Sequence, residues 1–279
     1  MTEPTSPVLL QAHDVTIGYD GRDIMNRLSI GIERGRFTAL LGPNGCGKST
    51  LLRALAGLLA PRSGTIRLEG QPIAQLSRKQ LARRLSFLPQ IPRAPDDITV
   101  RDLVEQGRYP HRRPLAPWSA ADRAACTEAL ELTHMVALAD QPLAALSGGQ
   151  RQRAWLAMTL AQSADILLLD EPTTYLDMAH QLELLALLRR LVDERGKTVL
   201  AVLHDINQAG QFADKLALLS NGSIAGLGRP VDVVTPEIIR TVFHVDGMVL
   251  PNPMAPGPLF LPRTALTIID ATGEDATRS

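Results

Sequence analysis

Cysteine is nearly missing from this chain of 279 residues, lysine is scarce, and no net charge remains at neutral pH. The two cysteines, Cys46 and Cys126, supply neither a disulfide framework nor a metal-ligand set. Lysine occurs only at Lys48, Lys79, Lys197 and Lys215, arginine carrying the remaining positive charge, a compositional bias without functional content. A formal net charge of +0 argues against a protein held mainly by nucleic-acid phosphates or anionic lipid. No apolar run approaches the length that crosses a bilayer, and residues 1–7 lack the basic-then-apolar layout of a signal peptide. The expectation is a soluble, cytoplasmic protein with no nucleic-acid partner, long enough to bury a large core.

What is present centres on residues 42–50, Gly-Pro-Asn-Gly-Cys-Gly-Lys-Ser-Thr. The strand-length apolar run Phe37 to Leu41 precedes it, and Leu51, Leu52, Leu55 and Leu58 follow at helical spacing. Strand, glycine loop and helix in that order make a phosphate site of Gly42, Pro43, Asn44, Gly45, Cys46, Gly47, Lys48, Ser49 and Thr50. Gly42, Gly45 and Gly47 let successive N–H groups converge on one anion, and the positive end of the following helix adds to the field. Lys48 supplies a charge for the β- and γ-phosphates, and the Ser49 hydroxyl suits Mg²⁺. Cys46 is expected to be open to alkylation if the loop is open.

Val8 to Leu40 reads as strand-rich, with turns at Tyr19-Asp20-Gly21 and Glu33-Arg34-Gly35. Tyr19 suits ordinary sheet packing or, equally, a stacking platform for adenine. Thr65 to Leu68 reads as a strand and Ser77 to Arg83 as a short helix. Ser86 to Gln90 is a core strand ending on a polar residue, whose side chain at that strand end reaches toward a γ-phosphate and its metal. A helix begins at Thr99. Arg101, Arg108, His111, Arg112 and Arg113, broken by Pro110, Pro114 and Pro117, read as a solvated loop. Ala120 to Met135 is helical, so about 91–164 forms an inserted helical subdomain.

Ser147, Gly148, Gly149 and Gln150 then open a helix, with Ser147 as its N-cap and free backbone N–H groups forming a second anion site. Asp165 to Leu169 is a strand buried on both faces and ends on Asp170 and Glu171. Asp170 can hold Mg²⁺ in its outer shell, and Glu171 can orient the attacking water. Thr173 to Asp177 is a turn before an amphipathic helix carrying Leu182, Leu185, Leu188 and Val192. Thr198 to Leu203 is another buried strand, ending on His204, for which a γ-phosphate contact is preferred to a structural role. A hairpin turning at Asn221-Gly222 and a helix from Pro236 to Phe243 follow. A disordered end is expected after Asp270.

From about Val8 to about Phe243 this order of motifs resembles the ATP-binding subunit of an ATP-binding-cassette transporter. The resemblance assigns an A-loop aromatic to Tyr19, Walker A to Gly42–Thr50, a Q-loop to Gln90 and the signature to Leu146–Gln150. It assigns Walker B to Ile166–Asp170 with Glu171, the end of a D-loop to Asp177 and the switch to His204. It implies a P-loop NTPase core of mainly parallel sheet flanked by helices, with an N-terminal antiparallel β-subdomain, the helical insert, a flexible 1–7 and an extension from 244 to 279. It further implies ATP and Mg²⁺, a head-to-tail homodimer, two transmembrane permease subunits, an external solute-binding protein, and a place at the cytoplasmic face of the membrane. Phe87 to Gln90, Ser147 to Trp155 and Glu171 to Asp177 are similar to the iron-siderophore, haem and cobalamin uptake branch, with ferric siderophore favoured. Soluble relatives in DNA repair or on the ribosome carry heptad arms or two cassettes, which are missing here, and a phosphate-loop kinase leaves the signature and His204 unexplained.

Overall fold

The computed structural model describes residues 7–92, 94–95, 97–113 and 117–265. The expected flexible N-terminus apart from Pro7, Pro114 of the proline-broken stretch, and the expected disordered end lie outside these residues.

The chain opens with β1 (Val8–Tyr19) and β2 (Arg22–Glu33), joined by Asp20 and Gly21 at φ +44° and +83°. Positive φ at both turn residues matches the twist of a two-residue hairpin, which is why Asp-Gly stands there. Next come β3 (Phe37–Leu41), all five residues buried, and α1 (Lys48–Leu55). Gly57 at φ +70° closes that helix, so Leu58, expected on its buried face, is 65% exposed. Then follow β4 (Ser63–Leu68), β5 (Gln71–Pro72), α2 (Arg78–Ala82) capped by Ser77, and β6 (Leu85–Leu88). The helices α3 (Val100–Gln106), α4 (Ala120–Leu132) and α5 (Gly148–Ala161) are next, and α3 and α4 both pack on α5. The alternation resumes with β7 (Ile166–Leu169), α6 (Met178–Arg195), β8 (Thr198–Val202), α7 (Ile206–Phe212), β9 (Lys215–Ser220) and β10 (Ser223–Gly228). Two short helices, α8 (Pro230–Val233) and α9 (Pro236–Phe243), and the strands β11 (Val245–Leu250) and β12 (Leu259–Ala265) complete it.

The central six-stranded sheet runs β10-β9-β3-β8-β7-β6, parallel except where β10 pairs antiparallel with β9. An antiparallel sheet, β2-β1-β4-β5, stands beside it. This is the expected α/β class. Alternation within each central strand splits the core in two. Phe37, Ala39, Leu167, Leu169, Val199 and Ala201 pack with α5 and α6, whereas Leu40, Leu168, Leu200 and Val202 pack with α1 and the antiparallel sheet. Both faces are covered, so the strands read as unbroken apolar runs. In α6 the buried stripe is Leu184, Leu185, Leu187, Leu188, Leu191 and Val192, while Leu182 stays 38% exposed.

One expectation about the insert is corrected. The basic stretch is not simply solvated: Arg108 is 6% exposed, its Nε donates to Asp122 Oδ1 at 2.9 Å, and an Nη donates to Ala161 O at 2.7 Å and Ser163 Oγ at 2.9 Å. That guanidinium fastens the end of α3 to α4 and α5. Beyond Phe243 the chain forms the hairpin of β11 and β12, which places Phe260 in the core against α7.

Candidate functional site

Strand register decides what meets at the carboxyl edge of the parallel sheet. Leu88 is level with Leu169, Leu169 with Ala201, and Leu40 with Val202. Gln90, Asp170, Glu171, His204 and the loop beginning at Gly42 therefore leave the sheet at one end, where ligands of such sheets bind. Lys48, Ser49, Gln90, Glu171 and His204 line one cleft with Asn44, Gly45, Gly47 and Thr50, and Ile24 of β2 closes its side.

Two loop glycines have no room for a side chain. A Cβ on Gly42 meets Leu219 O at 2.1 Å, and one on Gly47, at φ +106°, meets Met25 Cε at 2.6 Å. Lys48 is 6% exposed, and its ammonium donates to Gly42 O at 2.8 Å and Pro43 O at 2.9 Å. An ammonium has three donors, so one is left for a phosphate oxygen. Cys46, expected to be open to reagent, is buried instead, and burial raises its thiol pKa against the opposing pull of Lys48.

Ser49 Oγ donates to Asp170 Oδ1 at 2.9 Å. Asp170 is fully buried, and its Oδ2 has no hydrogen-bond partner among the described residues. Burial raises the Asp170 pKa, with the Glu171 charge adding to it and the Ser49 bond opposing it. A buried carboxylate oxygen without a partner, with the Ser49 hydroxyl on the neighbouring oxygen and Gln90 lining the same cleft as Ser49, supplies oxygen donors of the kind that fit Mg²⁺.

Glu171 sits at φ +54°. Its Oε2 is 2.8 Å from His204 Nε2 and accepts from Thr174 Oγ1 at 3.2 Å. Burial pushes the Glu171 pKa up, but hydrogen bonds from His204, Gln90 and Thr174 and the His204 charge outweigh it, leaving the carboxyl below its usual value. Neighbouring carboxyl groups are thus driven in opposite directions, Asp170 upward and Glu171 downward, which separates their chemistry.

Tyr19, Ser147 to Gln150 and Asp177 are not among the residues that line this cleft. Tyr19 is 38% exposed at the end of β1, with Arg53 donating to its hydroxyl at 3.5 Å. Ser147 and Gln150 form a reciprocal cap on α5 with Ser147 and Gly148 exposed, and Gly148 faces Tyr175. Asp177 caps α6, accepting from His180 N at 2.9 Å, and its Oδ1 lies 2.8 Å from His180 Nδ1. Sequence reasoning missed Ile24 and the bond from Thr174; apolar alternation along β2 was the only available sign of the former.

The family model for the ABC transporter matches residues 25–174. The ferric enterobactin transport ATP-binding protein FepC of Escherichia coli (strain K12) is 46% identical over 267 residues, covering 95% of this chain and 98% of that protein. The iron(3+)-hydroxamate import ATP-binding protein FhuC of Bacillus subtilis (strain 168) is 44% identical over 90% of this chain and 94% of its own. The hemin import ATP-binding protein HmuV of Bordetella pertussis (strain Tohama I) is 45% identical over 90% and 98%. Among solved structures, an inward-facing ABC transporter of proposed metal-chelate type superposes with a TM-score of 0.79 at 29% identity, over 92% of this chain and 98% of that one. The cassette MJ0796, dimeric in a post-hydrolysis state bound to ADP and Pi, gives 0.72 at 28% identity over 79% and 98%. With a glycine loop of phosphate-site sequence, polar side chains at the carboxyl edge of the sheet and this likeness along nearly its whole length, the chain belongs to the ABC transporter family as an ATP-binding, ATP-hydrolysing subunit.

Proposed function

We propose that this ATPase energises uptake of a ferric siderophore across the cytoplasmic membrane, as a head-to-tail homodimer beneath two permease subunits. An external solute-binding protein, periplasmic or on the cell surface, delivers the cargo. Lys48 and the N–H groups from Gly42 to Thr50 hold the β- and γ-phosphates. Glu171 takes the proton of the attacking water, and His204 keeps Glu171 oriented and reaches the γ-phosphate. Ser49, Gln90 and Asp170 hold Mg²⁺, which when bound draws charge from the phosphoryl oxygens. Tyr19 stacks on adenine. Ser147, Gly148, Gly149 and Gln150 contact the partner's nucleotide, with Asp177 at the seam.

The dimer is supported by the exposed α5 N-terminus standing outside its own cleft, since that second anion site needs a nucleotide held elsewhere. ATP then favours the closed pair and ADP the open one, because they differ at the phosphate that both subunits touch. No helix among the described residues is long and apolar enough to cross a membrane, which agrees with peripheral attachment at the cytoplasmic face through a permease. The cargo rests on one observation, the near end-to-end similarity to siderophore-transport subunits. The complex of this chain with its permease, reconstituted with a solute-binding protein, tests it: ferric siderophore is expected to be taken up in an ATP-dependent manner. Uptake of haem or cobalamin without siderophore overturns the cargo, and haem is the second reading because of the HmuV relative.

A further inference from the structure

The turn that carries Glu171 toward Asp177 contains two non-glycine residues in left-handed conformation, Glu171 at φ +54° and Tyr175 at φ +66°. Such a turn persists only where its surroundings over-determine it. Its carbonyls are held by side-chain amides. Gln152 of α5, 5% exposed, donates to Pro172 O at 3.2 Å. Gln181 of α6 donates through one Nε2 to Thr173 O at 3.4 Å and Leu176 O at 3.0 Å. Gln181 Oε1 in turn accepts from Gln208 Nε2 at 3.0 Å.

Gln208 belongs to α7, the helix that begins directly after His204. Asp205, the next residue, caps α7 by accepting from Asn207 N at 2.7 Å and from Gln208 N at 3.0 Å. From the far side α7 is anchored by the C-terminal hairpin: Asn207 Nδ2 donates to Phe260 O at 3.0 Å, and Phe260 N donates to Asn207 Oδ1 at 2.8 Å. The helix is therefore a fixed post, with His204 at its approach and Gln208 one turn on.

We propose that Gln208 and Gln181 are a positioning pair that sets the separation of His204 from Glu171 and so the rate of hydrolysis. The proposal rests on the reading of Glu171 as the residue that acts on water. The direct Glu171 to His204 contact of 2.8 Å joins two groups that the proposed mechanism turns toward water and the γ-phosphate, with the His204 side chain 46% exposed. The amide frame exchanges none. An amide suits this place because it donates at one end and accepts at the other, so two in series span from α7 to the turn. Methionine matches glutamine in length and cannot complete that chain.

The test uses the purified full chain with Gln208→Met, Gln181→Met, both together, and Glu171→Gln. Each single methionine variant is expected to lose about tenfold in kcat, because a small misplacement at the reacting centre is costly, with KM for ATP held within about twofold. Gln208→Met melts near wild type, Gln181→Met about 2–4 °C lower because two turn carbonyls lose their donor, and the double variant loses no more kcat than Gln181→Met, since Gln208 reaches the turn only through Gln181. Wild-type kcat in Gln208→Met, a parallel change of KM and melting temperature in that variant, or losses that multiply in the double variant overturns the pair. If Glu171→Gln blocks turnover while Gln208→Met does not change it, the pair alone is wrong. Turnover that survives Glu171→Gln overturns the reading of Glu171, and the pair with it.

Discussion

Ser49 Oγ donates to Asp170 Oδ1 across 2.9 Å, joining residues 121 apart in sequence and leaving Asp170 Oδ2 buried with no partner among the described residues. In the proposed Mg²⁺ site this bond sets Asp170 against Ser49 in the nucleotide-free fold, and the orphaned oxygen is its cost to stability. Asp170→Asn keeps the acceptor for Ser49 and removes the buried charge. The nucleotide-free variant is expected to melt no lower than wild type, while Mg²⁺-dependent turnover falls about a hundredfold or more. Calorimetry and a phosphate-release assay on the same preparation check both halves.

Lys48 is the next lever. In Lys48→Ala two loop carbonyls lose their donor, a loss of about 1 kcal/mol, or about 2–4 °C in melting temperature. ATP binding weakens and turnover is lost. Near-normal turnover removes Lys48 from the phosphate site.

The pH profile follows from the Glu171 environment. Its carboxyl lies below the ordinary value of 4.5, so it stays ionised down past that pH and imposes no acid limb on turnover above it. The sign for stability is that of a depressed acid: Glu171 stabilises the fold above pH 4.5, and this is lost as pH falls through its lower folded value. His204→Ala removes the largest of the interactions that lower the pKa and leaves burial opposed only by Gln90 and Thr174. The acid limb of kcat then moves to higher pH, besides an overall fall in rate. An unmoved limb with wild-type rate returns His204 to a structural role.

Arg108 tests the helices that carry the α5 cap. Its side chain is 7% exposed and that of Asp122 11%, so Arg108→Met leaves a buried carboxylate without its charge partner. The expected loss is about 3 kcal/mol, or about 6–12 °C in melting temperature. A change of less than 2 °C in differential scanning calorimetry shows that the pair does not hold those helices.

The β3, loop and α1 unit was legible because three independent signals agree there: an apolar run of strand length, glycines, and leucines at helical spacing. Gln90, Asp170, Glu171 and His204 were legible because each follows a strand of the parallel sheet, and parallel strands end together. The left-handed Glu171 and its bond to Thr174 were not, since a positive φ costs roughly 1–2 kcal/mol and leaves no mark on glutamate or threonine. Arg108 was misread because a guanidinium in a basic run looks solvated, and its partner Asp122 approaches only when α4 folds back. The final hairpin was hidden by its composition: Gly247 interrupts β11, Pro262 sits in β12, and four prolines fill the connection between them. Tyr19, the Ser147 cap and Asp177 were found as motifs, yet one chain does not gather them at its cleft.

That separation is the core of the account, and Glu171→Gln tests it most directly. The variant keeps size and most hydrogen bonds while losing the carboxylate, so ATP binds and persists. Light scattering of the purified variant with ATP and Mg²⁺ is expected to show twice the mass seen with ADP, the Ser147 cap of each copy closing on the other's nucleotide. A monomer with bound, unhydrolysed ATP contradicts the composite site.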